Sequence, residues 1–330
     1  MDPAWALREI AFQLERAGEP TYRVRAFRNA AATVDKTGAE QLAQLAENGT
    51  LTSLPGIGKA TAGVIEDALA GRDPAYREKI VEKELPSGEP LRSALRGDCH
   101  THSDWSDGGS SIGEMAVAGR DLGHEWMVLT DHSPRLTVAN GLSPERLRTQ
   151  MQIVGRANEL MAPFRLLHGI EVDILDDGSL DQEEELLDQL DFVVASVHSK
   201  LRMPSKDMTP RMLAAVRNPH VRVLGHCTGR LVVGRGRPES EFDAEAVFTA
   251  CRENGVAVEI NSRPERLDPP MKLLCLAAEL GCEFAIDSDA HAPGQLDWQG
   301  YGCERAIKAG IGPERIINTR PAEELLSRSR

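Results

Sequence analysis

From residue 96 to residue 291 short apolar runs alternate with helical patterns, and nearly every run ends in histidine, aspartate or glutamate. The runs are "RGDCHTH", "EWMVLTDH", "FRLLHGIEVDI", "DFVVASVH", "VRVLGH", "VAVEIN" and "CEFAIDSDAH". Stretches such as "SIGEMAVAGRDLG", "MTPRMLAAVRN" and "FDAEAVFTACRENG" carry 3.6-residue spacing between them. Strands separated by helices pair in parallel, because a chain must cross back before laying down the next strand. Seven such repeats predict a closed or nearly closed β/α barrel; a doubly wound open sheet is the alternative.

In a parallel barrel the carboxyl ends of all strands meet on one face. The polar ends are His100 and His102, Asp131 and His132, Glu171, His198, His226, and Asp287, Asp289 and His291. Six of the nine histidines stand at such positions. Burying imidazoles and carboxylates without partners is too costly for packing to explain the gathering. In "DCHTHSDWSDG" His100 and His102 share a strand face, Asp107 follows five residues later, and Asp289 and His291 repeat the alternate spacing. The candidate ligands are therefore His100, His102, Asp107, His132, Glu171, His198, His226, Asp289 and His291. Nine exceed the needs of one ion, so two or three divalent ions are expected, and nitrogen and oxygen donors suit Mn²⁺, Zn²⁺ or Fe²⁺. Cys99 and Cys227 adjoin ligands but alternate to the opposite face.

The first 85 residues read differently. Three helical patterns, "AWALREIAFQLERAG", "TYRVRAFRNAAATV" and "AEQLAQLAENG", precede "LTSLPGIGKATAGVIEDALAG". Its "PGIG" is too glycine-rich for a helix interior and predicts a tight turn feeding a helix. A glycine-rich turn at a helix N-terminus offers backbone N–H groups to phosphate oxygens, which marks Gly56, Gly58 and Lys59 as nucleic-acid contacts. Arg23, Arg25 and Arg28 would add phosphate contacts, or simply form a solvated helix face. A plain helix–turn–helix corner remains the alternative for the turn. "ELPSGEPLRSALRG" reads as a linker, placed at 86–95, with an all-α domain over 1–85 and the ligand-bearing barrel domain over 96–330.

The formal charge is −13, yet residues 1–85 carry 11 Lys and Arg against 13 Asp and Glu, so the excess lies mostly beyond them. That charge excludes a bulk nucleic-acid sponge. No apolar run reaches the length of a membrane span, no signal pattern opens the chain, and six cysteines form no CxxC pair. A cytoplasmic protein with no membrane partner is expected; its protein partners are not legible.

The ligand-bearing part resembles the polymerase-and-histidinol-phosphatase (PHP) superfamily, through "HTHSDWSDG", "LTDHS", "GIEVDIL", "SVHSKLRM", "GHCTGR" and "DSDAH". In more detail it is similar to the PHP domain that ends bacterial family-X DNA polymerases, in "GHCTGRLVVGR", "EINSRPERLD" and "AIDSDAH". The opening residues resemble the small helix-hairpin-helix domain of the same polymerases, in "YRVRAFRNAA" and "LPGIGK". The resemblance implies a distorted (β/α)7 barrel with three metals: one on His100, His102, Glu171 and Asp289, a second shared through Glu171 with His198 and His226, a third on Asp107, His132 and His291. His100, His102, Glu171 and Asp289 would serve catalysis through a metal-activated hydroxide. Arg230, with Arg235 and Lys200, would meet substrate phosphate. Asn261 and Arg263 could touch substrate; His124, His168 and His220 fit no ligand pattern.

The polymerases carry a nucleotidyl-transfer unit between these two ends, and here only the linker stands there, so polymerase activity is not expected. The expected function is a metal-dependent phosphoesterase on DNA, gripped without sequence preference: a 3′–5′ exonuclease, an abasic-site endonuclease or a 3′-phosphatase in DNA repair. A small-molecule phosphomonoesterase of the histidinol-phosphatase type and a non-catalytic DNA-binding module are the alternatives.

Overall fold

The computed structural model describes residues 1–81 and 83–327. They fall into two compact units, Met1–Glu84 with Ala292–Gln295, and Leu85–His291 with Leu296–Arg330.

The first unit is built from α1 (Pro3–Arg16), α2 (Thr21–Lys36), α3 (Ala39–Glu47) and α4 (Lys59–Leu69). Asp2 caps α1 by accepting from the Trp5 N–H, and Pro3 occupies the first helical position, where a missing N–H costs nothing. Leu7, Ile10, Ala11 and Leu14 then form one buried stripe that joins Val24, Phe27, Ala31 and Val34 of α2 and Val64, Ile65 and Ala68 of α4 in a single core. Between α3 and α4 the chain makes the expected tight turn. Gly56 sits at φ +78°, in the left-handed region where a side chain would be strained. Ile57 turns inward to the core, and Gly58 caps α4 with Thr61 Oγ1 accepting from its N–H at 2.9 Å.

The second unit holds seven strands: β1 (Gly97–Thr101), β2 (Trp126–Leu129), β3 (Arg165–Asp173), β4 (Phe192–Ser196), β5 (Val223–Leu224), β6 (Ala257–Asn261) and β7 (Phe284–Asp287). All neighbours are parallel and follow chain order. Helices intervene at every step: α5 (Leu91–Ala94) leads into β1, then come α6 (Ile112–Asp121), α7 (Pro144–Met161), α8 (Glu184–Leu187), α9 (Ser205–Val216), α10 (Ala244–Asn254), α11 (Met271–Glu279), α12 (Gln299–Lys308) and α13 (Ala322–Ser327). A parallel bridge between Thr101 and Ala290 brings β1 back to the segment after β7, and the His102 N–H donates to the Ala290 carbonyl at 2.8 Å. The sheet is thus a nearly closed, TIM-like barrel, not the doubly wound alternative.

Apolar side chains of β3, β4, β6 and β7 pack outward under the helices, as Ile170, Val172, Val193, Ala195, Val258, Ile260 and Ile286 do against Met208, Met212, Phe248 and Leu274. The stretch 86–95, read as a linker, is packed into this unit: Leu91 and Leu95 join its core from α5. No helix among the described residues is long and apolar enough to cross a membrane.

Candidate metal centre

Glu171 organises the carboxyl-terminal face of the barrel. It projects from β3, fully buried, and five imidazoles surround its two oxygens. Oε2 lies 3.3 Å from His100 Nε2, 3.6 Å from His102 Nε2 and 2.8 Å from His132 Nδ1. Oε1 lies 3.2 Å from His198 Nε2 and 2.9 Å from His226 Nε2. Each ring arrives from a different wall: His100 from β1, His102 just after it, His132 after β2, His198 two residues beyond β4, and His226 two beyond β5. Asp107 and His291 complete the outer side, with His291 Nε2 3.2 Å and His132 Nε2 3.5 Å from Asp107 Oδ1. Asp289 Oδ1 lies 3.5 Å from His102 Nε2. All nine side chains singled out as ligands are therefore brought together.

Their alternate spacing has two different origins. His100 lies on β1 and His102 continues its ladder. Asp289, by contrast, lies beyond the end of β7 at φ +52°, so a turn, not strand alternation, aims it at the centre. Strained backbone of this kind persists where the surroundings hold it; here Asn261 Nδ2 donates to Asp289 Oδ2 at 3.1 Å and Arg266 Nε lies 3.3 Å from the same oxygen.

The electrostatics follow from burial among like and unlike charges. Burial alone would raise the Glu171 carboxyl, but His100, His198 and His132 reverse this and hold it well below the usual range. His102 is pushed well down, first by burial and then by the neighbouring His291 and His132, which keeps it neutral. Burial also disfavours the charged form of His198, yet Glu171 and Asp173 carry it up to about 9. His100 rises well above its usual value in the same way, against burial, through Glu171 and Glu259.

The donor set fits divalent cations. His100 Nε2, both nitrogens of His102, His132 Nδ1, His198 Nδ1 and His226 Nδ1 are buried and make no well-aligned hydrogen bond, although all but His102 Nδ1 and His226 Nδ1 stand close to carboxylate oxygens. So many unsatisfied buried nitrogens around one carboxylate are costly unless a cation takes their lone pairs. Donor atoms of His102, Asp107, His132 and His291 lie within 4.8 Å of one another, as do those of His100, His102 and Glu171, and of His132, Glu171 and His198.

The groups around the ligands do recognisable work. Glu259 of β6 was missed: its Oε1 lies 2.6 Å from His100 Nδ1, and its other oxygen accepts from the His226 N–H. It fixes one ring and one strand end, as carboxylates behind ligating histidines do. A lone carboxylate inside the apolar run "VAVEIN" was its signal. Asp131 is no part of the cluster; it accepts from the Ser103 N–H and from Ser103, Ser106 and Gln150 side chains, shaping the loop that carries Asp107. Cys99 and Cys227 are buried away from the ligands, as alternation predicts.

A cavity of about 520 Å³ opens over the cluster, lined on its polar side by Arg263, Arg266, Asp289 and His291. Arg266 was also missed, and its Nη1 is buried with no partner. Arg230 does not reach this cavity. Its guanidinium is taken by the Arg266 and Leu267 carbonyls and lies 3.5 Å from Glu239, in a separate groove. Lys200 is exposed and paired with Asp176, and Arg235 is exposed at a loop tip.

In the helical unit Gly56, Gly58 and Lys59 are exposed together at the turn. The three arginines are not equivalent. Arg28 makes a bidentate pair with buried Glu15, at 2.9 and 2.7 Å, and Arg23 lies between Glu19 and Tyr76, whereas Arg25 is exposed. The remaining histidines are structural: His124 bonds Gln299 and is pushed down to about 3 by burial, His168 bonds Gln150 and falls to about 4, and His220 pairs with Glu184.

Comparison with known proteins agrees with this architecture. The helix-hairpin-helix domain profile matches residues 1–73, and the PHP domain profile matches residues 98–263. The DNA polymerase/3′-5′ exonuclease PolX of Bacillus subtilis (strain 168) is 39% identical over 231 residues, covering 70% of this chain and 40% of that protein. This chain thus spans about two fifths of that relative's length. A probable phosphatase of Thermoanaerobacter sp. (strain X514) is 30% identical over 240 residues, 67% of this chain and 89% of that one. With a PHP profile over half its length and a relative matched almost end to end, the chain belongs to the PHP domain family of phosphoesterases, joined here to a helix-hairpin-helix domain.

Proposed function

We propose that this protein is a metal-dependent phosphodiesterase that removes nucleotides from the 3′ end of DNA. The observation that carries the reading is Glu171 at the centre of five imidazole nitrogens, all within 3.6 Å, in a chain that also bears the exposed "LPGIG" turn. His100, His102, Glu171 and Asp289 would hold one ion, Glu171, His198 and His226 a second, and Asp107, His132 and His291 a third. Bound divalent ions supply water activation and neutralise charge developing on a phosphoryl group. Glu259 holds the His100 ring against rotation, and Arg263 and Arg266 place positive charge where a phosphate would enter. Arg263 Nη1 lies 3.0 Å from His291 Nδ1 and Arg266 pairs with Asp289, so both guanidiniums are fixed before substrate arrives. Gly56, Gly58 and Lys59 would hold the DNA backbone by N–H groups and charge, reading no sequence.

The matched probable phosphatase favours a second reading, hydrolysis of a small phosphomonoester, in which the helical unit has another task. The two separate in one experiment. The Mn²⁺-loaded protein and its His102→Ala variant are incubated with 5′-labelled single-stranded DNA and, separately, with histidinol phosphate. Progressive 3′ shortening abolished by the substitution supports the exonuclease. Phosphate release from histidinol phosphate with intact DNA supports the monoesterase.

A further inference from the structure

The cavity over the cluster has a second wall, and it is apolar. Leu136, Val138 and Ala139, in the loop after β2, line one side; Leu231, Val233 and Gly234, in the loop after β5, line the other. Val138 is 92% exposed and Val233 58% exposed; of the other valines among the described residues, all but Val81, Val117 and the neighbouring Val232 are buried. Exposed aliphatic side chains collected at the mouth of a polar cavity mark a ligand surface more than a packing accident.

Both loops are built, not slack. Residues 231–237 form a small hairpin: Leu231 and Arg237 exchange backbone hydrogen bonds at 3.0 and 2.9 Å, and the Val232 N–H donates to the Glu265 carbonyl at 2.7 Å. That last bond ties the hairpin to the segment bearing Arg263 and Arg266. Opposite, the Leu142 N–H donates to the His132 carbonyl at 2.7 Å, and the Gly141 N–H donates to the Leu136 carbonyl at 3.2 Å. A β-carbon at Gly141 would lie 1.9 Å from the Ser133 carbonyl oxygen, so only glycine lets this loop fold back. Each apolar wall is therefore anchored to a ligand or to the arginines that flank one.

A phosphate would occupy only the floor of a cavity of about 520 Å³. What stands above it must be flat or small enough to lie between two aliphatic walls, with its attached phosphate reaching the cations below. A nucleobase meets those demands: it presents apolar faces to both walls and stays joined to the phosphate through its sugar.

We propose that Val138 and Val233, with Leu136 and Leu231, clamp the base of the 3′-terminal nucleotide, and that Arg235 at the hairpin tip meets a phosphate further along the strand. The clamp selects a base-bearing nucleic-acid end over a small polar phosphoester. It deepens the exonuclease reading and rests on it.

The test uses two 5′-labelled single strands, identical except that one ends in a normal 3′ nucleotide and the other in a tetrahydrofuran abasic analogue. The native protein should favour the base-bearing end by about tenfold in kcat/KM, the factor that about 1.4 kcal/mol of base contact gives. In Val138→Ser/Val233→Ser the ratio between the two ends should fall towards one, chiefly through KM. Retained Mn²⁺ binding in the double variant shows that the centre survived. Equal cleavage of both ends by the native protein overturns the clamp and leaves the exonuclease standing, as does a preference that survives the double substitution. Failure to cleave either strand, with phosphate released from histidinol phosphate, overturns both.

Discussion

Glu171 cannot be exchanged for a neutral isostere without consequence, because its buried charge balances five imidazoles at the floor of the cavity. Glu171→Gln should abolish tight metal binding and catalysis while leaving the strand intact; metal content after gel filtration checks this. Glu259→Gln acts one bond further out. It keeps the shape behind His100 but weakens the carboxylate's hold, so metal affinity should fall by about 10- to 100-fold, read by calorimetric titration. His198 supplies the pH dependence. Its raised value, about 9, means that its proton stabilises the metal-free fold fully below the ordinary histidine range and ceases to do so as pH climbs towards 9. A cation displaces that proton, so apparent metal affinity should rise over the same interval, and titrations in buffers of different ionisation enthalpy should register proton release. Among single residues the candidate ligands were the legible part, since all but Asp107 stand at or near the end of an apolar run. Arg266 was not legible: its approach to Asp289 and its buried Nη1 arise only from the fold. Arg230 failed in the opposite sense, because two backbone carbonyls claim its guanidinium.

Among the elements, the turn at Gly56 and α4 has two properties that separate under mutation. Thr61→Ala removes the side chain that caps Gly58 and should cost about 1 kcal/mol by urea denaturation. The arginines of α2 divide in the same manner. Arg25→Ala should weaken DNA binding with little change in melting temperature, since the side chain is exposed. Arg28→Ala should destabilise the helical unit by about 3 kcal/mol, because it removes the cation paired with the buried carboxylate of Glu15 and leaves the Gly294 N–H as its donor. Thermal unfolding beside a DNA-binding titration distinguishes the two. The periodicity of α2 could not reveal this split, which depends on a partner in α1. All seven strands were read from the alternating runs, but α8, α12 and α13 were not named, β5 is only two residues long and the stretch before β1 turns helical. Length and packing of short segments depend on neighbours that local sequence does not name.

For the whole molecule the governing quantity is a net charge of −13 set against the polyanionic substrate proposed above. Attraction must come from the cations and from the few basic contacts of the helical unit. DNA cleavage should therefore fall with ionic strength by on the order of tenfold between about 50 and about 200 mM salt, for two phosphates held. Turnover of a small neutral-leaving-group monoester should change far less, and steady-state rates at several salt concentrations compare the two. Two units were legible from composition and from the switch in hydrophobic period, because each buries its own core.

The seam between β1 and the segment after β7 has a wider meaning. There the polypeptide joins positions almost two hundred residues apart with little ladder: the bridge of Thr101 to Ala290, and buried Asp98 bonded to Ser288. His100 and His102 stand on one lip of that seam and Asp289 and His291 on the other. An ion held by residues from both lips would work as a clasp on a hoop, fastening the first stave to the last. Stripping the protein with a chelator should then do more than silence it: backbone amides of 99–102 and 287–290 should lose protection from hydrogen exchange before the rest of the barrel.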